Sequence, residues 1–242
     1  MNEINLEKIT EYVNRNIAKF HNSKIESIKR LKLNEVLKRK NPYLFKAKNV
    51  LAANDLIEIL LEAYLSSQEE TIFGDFLEGL AIFICSEVYN GKKSSAEGID
   101  LEFEKEGIIY IVSIKSGPNW GKSSQINKMR DNFIKAKKIL RKGNSKLNIV
   151  AVNGCCYGKE KITDKGDYFK YCGQEFWNFI SGNNRLYLDI IEPLGFESKK
   201  RNEEFQEAYS EVINTFTAEF LSDFCTKGKI DWEKLVRFNS GM

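Results

Sequence analysis

The stretch Gly98–Gly117, GIDLEFEKEGIIYIVSIKSG, decides how the chain is organised. Two runs, IDLEF and IIYIVSIK, flank the polar turn Glu104-Lys105-Glu106-Gly107, and this spacing predicts a β-hairpin with Gly107 available for a positive φ. Pairing centred on that turn puts Asp100 nearly opposite Ser113, with Lys115 one step further along the same face. A carboxylate and a lysine thus meet at the open end of a hairpin whose other positions are mostly apolar. Neither charge is needed by the strands, and Lys115 closes a run that reads as a buried strand. A cross-strand salt bridge on a solvated face would also explain the pair, so the flanking sequence has to decide.

Before the hairpin lies Phe73–Gly91, FGDFLEGLAIFICSEVYNG, in which Glu78 is the sole charge between Phe76 and Cys85. On a helix, Glu78 shares its face with Gly74, Ala81, Ile82 and Cys85, all small or apolar. A carboxylate there is costly unless it meets a cation or a metal. Either the helix grazes solvent on that side, or Glu78 projects toward Asp100 and Lys115.

After the hairpin, Gly117, Pro118 and Gly121 predict a tight loop, and Ser123 or Ser124 is placed to cap a helix reaching about Lys142. Met129, Phe133, Ala136, Ile139 and Leu140 give that helix an inward face. Its N-terminus follows closely on Lys115, so its free N–H groups and Lys122 are placed to hold a phosphate. Lys146–Asn153, KLNIVAVN, then reads as a buried strand beside the hairpin, reached by a helix crossover. Helix, hairpin, helix, strand describes a mixed sheet flanked by helices, with Glu78, Asp100 and Lys115 brought toward one edge.

The 242 residues, 42% hydrophobic and 29% charged, suit a globular protein with a full core, and no apolar run is long enough to span a membrane. The N-terminus lacks the apolar core of a signal peptide, and five cysteines without a CxxC pair fit a reducing compartment, so a cytoplasmic location is expected. A net charge of +3 means that any basic surface must come from uneven distribution rather than from excess. Residues 4–20 and 25–37 predict two amphipathic helices, the second ended before Pro42. The KNPYLFKAKN stretch then interleaves lysines with aromatics, as a phosphate-contacting or merely solvated loop would. Residues 54–66 form another helix, with a polar break at Ser66–Thr71.

Cys155, Cys156 and Cys172 lack zinc-site spacing and a nearby histidine, so buried thiols are expected. The single histidine, His21, lies in a helical segment and is expected at the surface. The loop after Cys156 is expected to be exposed or to enter a DNA groove. CGQEFWNFISG predicts a short helix, RLYLDIIEPLG a last strand, and Phe205–Phe224 a long helix. The aromatic stripe of that helix serves either core packing or a dimer interface.

A helix glutamate, then an aspartate, then x-x-Lys closing the next strand resembles the catalytic core of the PD-(D/E)xK nucleases. More narrowly, NPYLFKAKN, FGDFLEGLAIF, GID, SIKSGPNWGKSSQ, YCGQEFWNFISG and YLDIIEPLG resemble one group of type II restriction endonucleases, across residues 41–195. The resemblance implies an α/β restriction-endonuclease-like core at 67–195, with helical additions at 1–66 and 196–242, and since no low-complexity linker or internal repeat interrupts the chain a single domain is expected. It implies Mg²⁺-dependent cleavage of both strands of double-stranded DNA, at a short palindromic or interrupted palindromic site, by a homodimer. A cognate DNA methyltransferase would protect host DNA without stable contact. In that role Asp100 binds Mg²⁺, the main-chain carbonyl of Ile114 adds an oxygen, and Lys115 orients the attacking water. Asn119, Lys122, Ser123 and Gln125 are the candidate DNA contacts.

The chain departs from the motif at Ser113, where the pattern has Asp or Glu. A serine is a poor Mg²⁺ ligand, so the missing carboxylate must come from elsewhere. Glu78 is the first candidate and Glu102, on the same strand face as Asp100, the second. A repair or structure-selective nuclease on the same core, and a DNA-binding module that has lost catalysis at Ser113, are the alternative functions.

Overall fold

A computed structural model describes residues 4–241. In chain order the elements are α1 (Leu6–Lys29), α2 (Leu33–Lys38), α3 (Pro42–Ala47), α4 (Ala53–Tyr89), β1 (Lys92–Lys93), β2 (Leu101–Lys105), β3 (Ile108–Lys115), α5 (Ser123–Arg141), β4 (Ile149–Cys155), β5 (Phe169–Cys172), α6 (Gln174–Ser181), α7 (Leu186–Asp189), α8 (Ile191–Leu194), α9 (Ser198–Phe224), β6 (Cys225–Thr226), β7 (Lys229–Ile230) and α10 (Trp232–Ser240). The chain divides into two compact units, Met1–Ile17 with Phe73–Phe196, and Ala18–Ile72 with Glu197–Met242.

The first unit holds a five-stranded sheet in the order β1-β2-β3-β4-β5, antiparallel through β3 and parallel from β3 to β5. This is the mixed sheet flanked by helices that the sequence predicts. The hairpin closes through Glu106 and Gly107, both at positive φ (54° and 73°), the pair that a two-residue type I′ turn demands. α5 is the crossover that makes β4 parallel to β3, and it buries Met129, Phe133 and Ala136 with Ile111, Ile149 and Ala151. α6 packs Phe179 against Phe103, Tyr110 and Tyr171, with ring centroids 5.0–5.3 Å apart. Gly154 leaves in β4 the space that the Phe176 ring fills.

The second unit is helical apart from the β6–β7 ribbon. Leu56, Ile57, Leu60 and Leu61 of α4 meet Phe216, Phe220 and Phe224 of α9, Phe45 of α3 and Leu235 of α10 in one core. The aromatic stripe of α9 is therefore core packing, and Phe205 joins Ile28 and Leu65 in an adjoining cluster.

Several predicted boundaries are corrected. α1 continues through His21–Lys24 to Lys29, because nothing there breaks a helix, and the interruption falls instead at Leu31–Lys32. KNPYLFKAKN is not a loop. Asn41 accepts from the Tyr43 N–H at 3.0 Å, and Pro42 takes the first helical position, where its missing N–H costs nothing. Ser66–Thr71 does not break α4, and within the helix Thr71 returns its hydroxyl to the Ser67 carbonyl at 3.0 Å rather than capping a new one. RLYLDIIEPLG forms the helical turns α7 and α8 rather than a strand, and its alternating leucines and isoleucines imitate period two over too short a span. Phe169–Cys172, expected within a loop, pairs with β4 as a fifth strand. Ile139 is exposed rather than inward. No helix among the described residues is long and apolar enough to cross a membrane.

Candidate active site

β2 pairs Leu101 with Val112, and the ladder continues one residue further, where the Asp100 N–H donates to the Val112 carbonyl at 2.9 Å. Asp100 thus stands opposite Ser113, as the hairpin register requires. Its Oδ2 accepts from the Ile114 N–H at 2.6 Å and lies 3.8 Å from Lys115 Nζ. Nζ in turn donates to the Ile114 carbonyl at 2.8 Å. The side chains of Asp100 and Lys115 are 20% and 32% exposed, too shielded for a solvated bridge yet open to a ligand.

α4 delivers the second carboxylate. A Cβ added at Gly74 would lie 3.7 Å from Ser116 Cβ, so the helix backbone passes the end of β3, and Glu78 follows one turn later. Its carboxyl is pushed above the usual range, foremost by burial and then by the charge of Asp100, while Lys93 and Lys115 oppose the shift. The charge of Asp100 therefore reaches Glu78. Lys93 Nζ sits 3.4 Å from Glu78 Oε1. Tyr12 of α1 lies over Gly79 and stacks on Phe83 at 4.3 Å, and an open cleft of about 600 Å³ beside Glu78 is lined by Tyr12, Asp75, Ile82 and Lys93.

Two positioning residues have no counterpart among the sequence candidates. Asn153 of β4, opposite Ser113 and 1% exposed, donates from Nδ2 to the Ser113 carbonyl at 3.1 Å. Its Oδ1 accepts from Trp120 Nε1, also at 3.1 Å. The Trp120 ring then faces Lys115 Nζ, 5.4 Å from its centroid. The loop between is braced again by Lys170 Nζ, which donates to the Pro118 carbonyl at 2.9 Å, and by Tyr157 against Gly117. An asparagine inside the apolar run IVAVNGC was the available signal.

The structure brings Glu78, Asp100, Ser113, Ile114 and Lys115 together, with Ser113 buried at 2% exposure. Glu102 stands apart. It pairs with Lys92 at 3.4 Å and lines a different cleft with Tyr89, Phe103 and Leu140. Asn119, Lys122, Ser123 and Gln125 are exposed on the loop and first turn that follow Lys115. The expected serine cap is not formed. Lys122 is the N-cap residue, and Gln125 Oε1 reaches back to its N–H at 2.9 Å.

No group of three His, Cys, Asp or Glu residues among the described residues gathers at metal-holding distance. The donors at hand are two carboxylates, Asp100 and Glu78, and the Ile114 carbonyl, all hard oxygens of the kind that suit Mg²⁺. Burial first and the charge of Asp100 second raise the Glu78 carboxyl, and a cation between the two carboxylates would oppose both effects.

The cysteines do not compete for this role. Cys85, Cys155, Cys156 and Cys172 are buried free thiols, and burial, aided by Glu78, pushes Cys156 up to about 12.

No curated protein matches the chain. A family model described as type II restriction endonuclease EcoO109I matches residues 7–202, which takes in the whole of the sheet and both carboxylates. With a match over most of its length, the chain belongs to the family of type II restriction endonuclease EcoO109I.

Proposed function

We propose that the protein hydrolyses phosphodiester bonds in both strands of duplex DNA at a short palindromic or interrupted palindromic site, in a PD-(D/E)xK-type centre that uses Mg²⁺. The observation that carries this reading is Lys115 Nζ held 3.8 Å from Asp100 at the end of β3, with the charges of both reaching Glu78, in a chain of this family. Asp100, Glu78 and the Ile114 carbonyl would hold the ion, and Glu102, which lines a different cleft, is the poorer third ligand. When bound, the ion supplies positive charge for the phosphate oxygens and lowers the pKa of a water.

The chain's own groups supply the rest. Asp100 is held through Oδ2 by the Ile114 N–H of β3 at 2.6 Å, which fixes the direction of its carboxylate. Lys115 Nζ spends one donor on the Ile114 carbonyl and has two left to orient an attacking water and meet charge growing on the phosphate. Trp120, anchored on Asn153, limits where Nζ can swing. Asn119, Lys122 and Ser123 would meet the DNA beside the cut. Cleavage of both strands of a symmetric site calls for two such centres, hence a homodimer. A partner methyltransferase would act on the same site.

The test is digestion of long unmethylated duplex DNA with Mg²⁺. Discrete, reproducible fragments are expected, and Lys115→Ala should abolish them while leaving specific binding in Ca²⁺ nearly intact. Nicking confined to lesions or junctions would replace the reading with a repair nuclease. Binding without cleavage under any divalent ion would leave a DNA-binding module, the reading that the buried Ser113 favours.

A further inference from the structure

The charges of the helical unit are segregated. Between Lys29 and Lys48 stand eight Lys or Arg residues and one acid, Glu35. In the remainder of that unit's described residues nine cations face fifteen acids. The unit is close to neutral as a whole, so composition alone hides the asymmetry.

The basic segment is α2, a short turn and α3, with Lys32, Lys38, Arg39, Lys46 and Lys48 exposed. Lys32, Arg39 and Lys48 form no ion pair among the described residues. Like charges crowded in this way, with so few ion pairs among them, cost free energy that a polyanion would recover. The turn is also held rigid. Asn239 of α10 donates from Nδ2 to the carbonyls of Leu37 at 2.9 Å and Lys40 at 3.1 Å, and Asn41 caps α3. A preorganised backbone beneath the cations lowers the entropy lost when they engage a ligand. Tyr43, 62% exposed beside them, adds a hydroxyl donor of the kind that phosphate oxygens accept.

We infer that the α2–turn–α3 segment is a contact surface for the phosphate backbone of duplex DNA, independent of the residues that cut. The inference rests on the reading of the protein as a DNA-cleaving enzyme and adds a binding surface to it. Contacts of this kind carry affinity and salt dependence without sequence information.

The experiment is fluorescence anisotropy of a labelled duplex of random sequence with the full chain in EDTA, from 50 to 200 mM KCl. The triple variant K32Q/R39Q/K48Q is compared with K227Q/K229Q/K234Q, which removes the same charge from exposed lysines elsewhere in the unit. The first variant should lower the log–log salt slope by about 2.7, so that wild-type affinity falls about 40-fold further than the variant's across that range. The second should keep the wild-type slope. Equal slopes for both variants, whether unchanged or equally reduced, overturn the inference, and specific cleavage by the wild type would then leave the nuclease reading standing. Failure of the wild type to bind any duplex would remove both together.

Discussion

Trp120 Nε1 donates to Oδ1 of Asn153 at 3.1 Å, and through this bond a residue buried in β4 governs the ring that faces Lys115. Asn153 is engaged at both ends of its amide, because its Nδ2 serves the Ser113 carbonyl. Asn153→Leu keeps the branching of the side chain but strands the part-buried Trp120 N–H and the buried Ser113 carbonyl, the latter at a cost of about 1–3 kcal/mol. Urea unfolding should show a lower midpoint at unchanged slope. In a Trp120→Phe background, where the donor is already gone, the same substitution should cost less, and full additivity would contradict the coupling.

The only histidine offers a clean pH test. His21, half-buried in α1, has its pKa lowered by burial first and by Lys24 and Arg201 next. A base whose folded pKa lies below its unfolded value of about 6.5 favours folding most when both states are neutral. That contribution is complete above about pH 6.5 and is lost as the pH falls through the lower folded value. Thermal unfolding should therefore show a Tm that declines between pH 7 and pH 5. His21→Gln should flatten the decline within that window, and an unchanged profile would show that His21 is not its source.

Thiol reactivity should follow burial. Cys85, Cys155, Cys156 and Cys172 are buried and Cys225 is partly exposed, and burial raises all five thiols. A disulfide reagent at pH 8 should modify Cys225 first and the others only as the protein unfolds. Peptide mapping after partial modification identifies the site. Early labelling of Cys156 would place it in an open rather than a packed environment.

What the sequence made legible was whatever depends on local pattern. The register that sets Asp100 against Ser113 follows from one turn and the period of two, and a strand register has no half-steps. The lone Glu78 on an apolar face pointed to the neighbours it has. The continuity of α1 and α4 was not legible, because Ser66–Thr71 carries the same residues that cap helices, and only tertiary packing of Leu65 and Leu77 shows that they do not. Nor was the Asn153–Trp120 bond, which joins residues 33 apart and needs the parallel β3–β4 pairing to exist first. Ser113 was visible as a missing acid, while its burial against Asn153 required the sheet.

The acid missing at Ser113 sets the last prediction, which separates the two replacement candidates. Glu78 reaches the Asp100–Lys115 pair electrostatically, and its carboxyl is raised because burial and Asp100 both resist its charge. Glu102 faces Lys92 and a different cleft, and it is absent from the charges that perturb Glu78. If the third ligand is the carboxylate that shares a site with Asp100, Glu78→Gln should lower cleavage by about 10² to 10³, the usual loss when one preorganised charge-stabilising group is removed. Glu102→Gln should change it by less than about tenfold, or 1.4 kcal/mol in the barrier. Because Gln keeps shape while removing charge, both proteins should still bind DNA in Ca²⁺, which separates lost chemistry from lost folding. Cleavage that survives Glu78→Gln and fails in Glu102→Gln would transfer the ligand role to β2. Survival in both would mean that Asp100 and the Ile114 carbonyl suffice, and that the chain does without the second acid.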